Sequence, residues 1–204
     1  MDFHVRARCV PAKLDILPGA FNPPTLAHLA MADAALDVVD EVLFVLPRAF
    51  PHKQYADVGL EERVELLQAA IGGNPRFSLA VSHGGLFVEI ASEASEHYAA
   101  DLFLLCGRDA AERIVSWDYG AKSGIREQLE RFRLLVASRA GAYEPPAEIR
   151  DRVLSIALDP GMDDISSSEL RRRMQAGERW EDLTPPQVAA LLAARIDRRG
   201  GGGG

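Results

Sequence analysis

The chain has 204 residues, 48% hydrophobic and 26% charged, which fits one globular domain and excludes a disordered or fibrous chain. Its 23 basic and 30 acidic residues give a net charge of −7, so phosphate neutralisation of nucleic acid is not the default reading; a local basic pocket for a small phosphorylated ligand stays open. No stretch approaches the roughly 20 apolar residues of a membrane span. The opening MDFHVRARCV has no apolar h-region or cleavage site, and the two cysteines, Cys9 and Cys106, show no zinc spacing. A reducing, cytoplasmic protein is expected, with no nucleic-acid or membrane partner.

Residues 14–17 (LDIL) form the first short apolar run, of the kind that suits a strand buried on both faces of a parallel sheet. The loop that follows is PGAFNPPTLAHLA, residues 18–30. Gly19 lets the backbone turn tightly and approach a ligand, Pro23 and Pro24 stiffen it, and Thr25 can cap a helix predicted over 25–37. Thr25 and His28 share a face near that helix start, where unpaired N–H groups favour a phosphate and a His can donate to a phosphoryl oxygen. The plainer alternative is a capped helix with an incidental surface His.

The second run, 41–46 (EVLFVL), leads into Pro47-Arg48-Ala49-Phe50-Pro51-His52-Lys53 and a helix over 60–71, with Glu61 and Glu62 supporting its dipole. Lys53 can pair with a phosphate, against the usual fate of a solvated lysine. A helix over 87–99 precedes the run 101–106 (DLFLLC), where Cys106 reads as a buried thiol. A helix over 108–117, a strand over 132–137 and a weaker strand over 153–158 follow. This alternation predicts an α/β fold, a Rossmann-like doubly wound parallel sheet, with ligands just after residues 17, 46, 106 and 158.

A small helical C-terminal part is expected over 165–197, with helices at Ser166–Gln175 and Pro186–Asp197 and a disordered tail at 198–204, all within a single domain whose core spans 13–160. Ile165-Ser166-Ser167-Ser168-Glu169-Leu170-Arg171 opens the first of these helices. Its hydroxyls and unpaired N–H groups make an anion cradle, and Arg171 can add a planar fork. The alternative is a Ser–Glu capping box. Arg172 and Arg173 read as a solvated face, and Asp163-Asp164 as dipole support. His4, His83 and His97 have no metal spacing, and no Ser-His-Asp arrangement is evident.

Together the two motifs resemble the nucleotidyltransferase superfamily built on an H/T-x-x-H loop and an I-S-S-T/S-x-x-R helix. Residues 19–28 (GAFNPPTLAH) are similar to its G-x-F-x-P-x-[HT]-x-x-H signature, with Thr25 for the first His and Ala27 where Gly is common. Two further segments resemble the nicotinate or nicotinamide mononucleotide adenylyltransferases: the P-x-x-x-x-H-K stretch ending at His52-Lys53, and Gly107-Arg108-Asp109 leading to Trp117. The resemblance runs from about residue 13 to about residue 195.

It implies adenylyl transfer from ATP to a pyridine mononucleotide, a step of NAD biosynthesis, with Mg²⁺ held mainly by ATP phosphates and no metal ligand on the protein. It assigns Thr25, His28, Lys53 and Arg171 to catalysis. Gly19, Ala20, Phe21, Gly107, Asp109, Ile165, Ser166 and Ser167 would bind the nucleotide. His52, Gly84, Gly85 and Trp117 would bind the acceptor, with a core role for Trp117 as the alternative. The expected partners are ATP and a small phosphorylated acceptor; homo-oligomerisation is left open.

One segment departs from the family. Where the bacterial nicotinate enzymes carry S-Y-T-x-x-T, this chain has Gly84-Gly85-Leu86-Phe87-Val88-Glu89-Ile90-Ala91-Ser92; glycine amides could replace the missing hydroxyl. The C-terminal V-x-x-Y-I pattern also weakens, to Val188-Ala189-Ala190-Leu191-Leu192. The alternatives are a phosphopantetheine adenylyltransferase, a cytidylyltransferase, or a non-catalytic nucleotide-binding module.

Overall fold

A computed structural model describes residues 1–48, 58–116, 124–138, 143–162 and 164–200. Seven strands form one sheet: β1 (Asp2–Val5), β2 (Lys13–Pro18), β3 (Glu41–Pro47), β4 (Phe77–Ser82), β5 (Asp101–Gly107), β6 (Arg133–Ser138) and β7 (Val153–Ala157). Their spatial order is β1-β4-β3-β2-β5-β6-β7, parallel throughout except for β1, which runs antiparallel to β4 at one edge. The chain moves outward from β2 to β4, then returns to place β5 beside β2. That reversal is the switch point of a doubly wound sheet, and it opens a crevice at the carboxyl ends of β2 and β5.

Seven α-helices lie among the described residues: α1 (Leu26–Ala35), α2 (Leu60–Ile71), α3 (Phe87–Ser95), α4 (Arg108–Ser116), α5 (Ile125–Gln128), α6 (Ser167–Ala176) and α7 (Pro186–Gly200). Central strand β3 is buried at every residue, so it reads as a continuous apolar run rather than an alternation. Its Val42, Phe44 and Leu46 pack with Met31 and Ala35 of α1 and Leu67 and Ile71 of α2. Leu43 and Val45 face the other layer, with Ile90 and Ala94 of α3 and Ala111 and Ile114 of α4. A third cluster joins Ala27 and Leu66 to Leu170 of α6, Trp180, Leu183, and Val188 and Leu192 of α7. The C-terminal part is thereby seated against the start of α1.

Strands β1 and β4 are additions to the sequence reading. Phe77-Ser78-Leu79-Ala80-Val81-Ser82 is fully buried, but its two serines break the apolar run. Ser78 is accommodated because its hydroxyl donates to buried Glu41 (2.6 Å) and accepts from the Ala7 amide (2.7 Å). The helix expected over 87–99 stops at Ser95, and Tyr98 turns its hydroxyl onto the same Glu41 (2.8 Å). Helix α6 ends at Gly177, whose φ of 67° favours glycine, and the Glu178 amide closes the turn onto Arg173 O (3.0 Å). The unstructured tail expected from 198 is corrected at its start: α7 stays helical through Gly200, and Arg198 Nε donates to Ala194 O (3.1 Å).

Candidate active site

The loop between β2 and α1 is built around Phe21. Its φ of 45° lies in the left-handed region, an uncommon conformation for a residue with a side chain. The ring is almost wholly buried and lies over Gly19, where a Cβ would come within 2.9 Å of it. It also meets His28 edge-on, with centroids 5.1 Å apart, and tilts against Phe44 at 5.7 Å. Gly19 is thus required by ring packing.

Thr25 is fully buried and caps α1. Its amide donates to His28 Nδ1 (3.0 Å), and its hydroxyl lies 2.7 Å from the same nitrogen. A backbone N–H can only donate, so Nδ1 carries no proton here. The neutral ring then holds its proton on Nε2, on the far side of the imidazole. The T-x-x-H spacing therefore sets the tautomer that makes His28 Nε2–H a hydrogen-bond donor at a helix start.

The loop's carbonyls are held from outside. Arg63 Nη1, on α2, donates to Ala20 O (3.3 Å), and Arg171 Nη1 to Asn22 O. Ser167 Oγ donates to Pro23 O and Thr184 Oγ1 to Pro24 O, both at 2.7 Å. Ser167 and Arg171 thus reach the histidine loop itself, bringing the two motifs together across 144 and 149 residues. Arg171 Nη2 also lies 3.4 Å from Ser168 Oγ. Sequence reasoning missed Arg63 and Thr184: a buried Arg on a helix and a Thr before two prolines carry no motif.

Ser166 realises the cap: its Oγ accepts from the Glu169 amide (3.1 Å). Glu169 does not close the box. It pairs with Arg172 and Arg173, both at 2.8 Å, and these partners hold its carboxyl down at about 2. Ile165 is buried beneath this start in the third core cluster.

Across the crevice, Gly107 ends β5 and Asp109 stands exposed in the first turn of α4. Asp109 lies inside the helix rather than at its N-cap. Cys106 is buried, and burial pushes its thiol up to about 12, so it is no nucleophile at neutral pH. His52, Lys53 and Trp117 lie outside the described residues, as does Asp163.

The loop from β4 to α3 is organised by carboxylates. Glu93 accepts from the His83 amide (3.0 Å) and the Gly84 amide (2.7 Å). Burial raises the Glu93 carboxyl, but these amides outweigh it and the group stays low. Glu89 Oε2 accepts from the Gly85 and Leu86 amides, both at 3.0 Å. A Cβ on Gly84 would fall 2.5 Å from Glu89 Cβ, so Gly84 is needed for this close approach. The idea that glycine amides stand ready for the acceptor is revised: Glu89 and Glu93 already engage them.

Among the described residues, no three His, Cys, Asp or Glu side chains gather to hold a metal ion. No described helix is long and apolar enough to cross a membrane.

The cytidylyltransferase-like family model matches residues 16–173. A probable nicotinate-nucleotide adenylyltransferase of Gloeobacter violaceus is 30% identical over 199 residues, covering 90% of this chain and 94% of the relative. One from Pelobacter propionicus is 28% identical, covering 88% and 95%. Among solved structures, the Plasmodium falciparum nicotinic acid mononucleotide adenylyltransferase complexed with APC superposes with a TM-score of 0.71 over 91% of this chain and 96% of its own, at 16% identity. That likeness speaks to the fold. With the histidine loop and the serine–arginine helix joined at one crevice, and relatives matched over nearly their whole length, the chain belongs to the nicotinate-nucleotide adenylyltransferases of the cytidylyltransferase-like family.

Proposed function

We propose that this protein transfers the adenylyl group of ATP to a pyridine mononucleotide, with nicotinate mononucleotide as the preferred acceptor, in NAD biosynthesis. The acceptor phosphate attacks the α-phosphorus in line. A new P–O bond forms, the bond to the β-phosphate bridging oxygen breaks, and pyrophosphate leaves with the electron pair. The nucleophile is already an anion, so no general base is required.

Catalysis is then positioning and charge stabilisation. His28 donates from Nε2 to the phosphate on which charge builds, Thr25 holds the ring, and the backbone amides of Ser166 and Ser167, with Arg171, take the β- and γ-phosphates. Arg171 uses one nitrogen on Asn22 O and has further N–H groups for a phosphate. Gly19, Ala20 and Phe21 line the nucleotide, and Asp109 accepts from the ribose hydroxyls. By resemblance alone, Lys53 neutralises phosphate charge and His52 and Trp117 serve the acceptor; Gly84 and Gly85 stand where the family's acceptor segment lies. The side chains at the crevice are mostly donors, which suits phosphates and suits Mg²⁺ carried on phosphate oxygens and water rather than on the protein. When bound, that ion would neutralise phosphate charge. A reducing, cytoplasmic setting agrees with two free thiols.

The observation that carries this reading is the Thr25 amide on His28 Nδ1, which makes the opposite nitrogen a donor at the switch-point crevice. The test is pyrophosphate release with each nucleoside triphosphate against a panel of phosphorylated acceptors. ATP with nicotinate mononucleotide should give the highest kcat/KM. Release only with CTP, or only with phosphopantetheine, would contradict it.

A further inference from the structure

We propose that Thr184 is a positioning residue for adenylyl transfer, acting through one peptide plane to set the tautomer and placement of His28. The inference rests on the reading that His28 serves the transferred phosphates. Thr184 lies beyond the part of the chain matched by the family model, in the C-terminal part, just after the short 3₁₀ turn Glu181–Leu183. It is almost wholly buried, and its Oγ1 donates to Pro24 O at 2.7 Å.

Pro24 O and the Thr25 N–H belong to the same planar, trans-arranged amide, so they point in opposite directions and turn together. One end of that plane is held by Thr184. The other end donates to His28 Nδ1. Thr184 therefore fixes the direction of the N–H that keeps Nδ1 bare and the proton on Nε2. Pro23 and Pro24 supply no N–H to this segment, and Ser167 holds the preceding carbonyl. Two hydrogen bonds on one amide also polarise each other, so loss of the first weakens the second. The platform beneath Thr184 is rigid, because Leu183, Trp180 and Val188 pack with Ala27 of α1.

Two substitutions separate the hydroxyl from the shape. Thr184→Val keeps the volume and removes the donor; Thr184→Ser keeps the donor and removes a methyl. We expect Thr184→Val to lower kcat about tenfold, the weight of one hydrogen bond, with both KM values within about twofold. Thr184→Ser should stay near wild type. Imidazole ¹⁵N shifts give a second readout: His28 should show the Nε2–H tautomer in wild type and Thr184→Ser, and a growing Nδ1–H share in Thr184→Val.

A folded Thr184→Val with wild-type kcat and unchanged His28 nitrogen shifts overturns the proposal. Equal losses in the Ser and Val variants overturn it too, because they would report packing. If Thr184→Val does not fold, a folded Thr184→Ser decides by the same two readouts, wild-type values supporting the proposal and slowed turnover contradicting it. Should wild type release no pyrophosphate with either pyridine mononucleotide, the functional reading fails, while the nitrogen shifts still decide whether Thr184 sets His28.

Discussion

The starts of α1 and α3 use one local device with opposite electrical outcomes. In each, the third helical residue reaches back to amides at the cap. At α1 it is His28, a neutral ring whose Nδ1 takes the Thr25 amide and whose other nitrogen becomes a donor. At α3 it is Glu89, whose carboxylate takes the Gly85 and Leu86 amides and adds a negative charge. An anion gains at the first site, from the donor and the helix dipole together. At the second, an internal anion already stands where the dipole would hold one. On the proposed function, the phosphates of ATP bind at α1, and an acidic acceptor reaching α3 must displace or avoid Glu89.

The largest way to break this contrast is to remove the donor. His28→Ala should lower kcat by about two to three decades, as expected for a donor aimed at charge developing in the transition state. ATP affinity, read from equilibrium binding, should change by only a few fold. An unchanged kcat in a folded variant would place His28 outside the chemistry.

Arg171 ties the serine helix to the same loop through Asn22 O. Arg171→Ala should raise the KM for ATP about tenfold, within the range for a lost charge-assisted hydrogen bond. Arg171→Lys should recover only part of this, since an ammonium cannot hold a loop carbonyl and a phosphate with one planar fork. Wild-type steady-state kinetics in the Lys variant would reduce the role of Arg171 to charge alone.

At α3 the change runs the other way. Glu89→Ala frees two amides and removes a charge, so the KM for nicotinate mononucleotide should fall several-fold, about what one exposed charge or hydrogen bond supplies. The KM for nicotinamide mononucleotide, which lacks the ring carboxylate, should move less, and that for ATP should hold. A rise in the nicotinate KM would mean that Glu89 orders the loop for its acceptor.

A third carboxyl sharpens the contrast because its site favours the neutral form. Asp15 sits wholly buried on β2, and neither oxygen has a hydrogen-bond partner in good geometry. Burial raises its pKa well above the usual carboxylate range, offset only in part by the Ile16 amide. The folded state thus keeps a proton that the unfolded chain releases above about pH 4. Its contribution to stability is greatest below that pH and falls as pH rises toward the folded-state value. Asp15→Asn should remove this slope, with a gain of about 1 kcal/mol at pH 7 that vanishes near pH 4. Urea unfolding at the two pH values measures it; a loss of stability at pH 7 would show a partner for the carboxylate.

Asp15 also marks how far the sequence could be read. LDIL passes for an apolar strand, and it is one, but nothing in four residues tells that the Asp lies inward without a donor. Strand β3 was legible because burial on both faces leaves an unbroken apolar run. Strand β4 was hidden because Ser78 is satisfied by Glu41, 37 residues away in sequence. Edge strand β1 was hidden because its Asp2, Phe3, His4 and Val5 alternate between exposed and half-buried positions. In the site, T-x-x-H spacing announced the pair Thr25 and His28, since cap and third residue are neighbours on any helix. That Ser167 and Arg171 would grip loop carbonyls, and that Arg63 and Thr184 would join them, depends on long-range packing that no local motif records.

The proposed function divides the ligands between the two helix starts. Amide hydrogen exchange tests it most directly, read at residues 25–29 and 84–92 with a non-hydrolysable ATP analogue alone and then with each pyridine mononucleotide added. The analogue alone should protect 25–29 and leave 84–92 unchanged, and the mononucleotide should then protect 84–92. Protection of 84–92 by the analogue alone, or protection of neither segment by any pairing, would contradict the division.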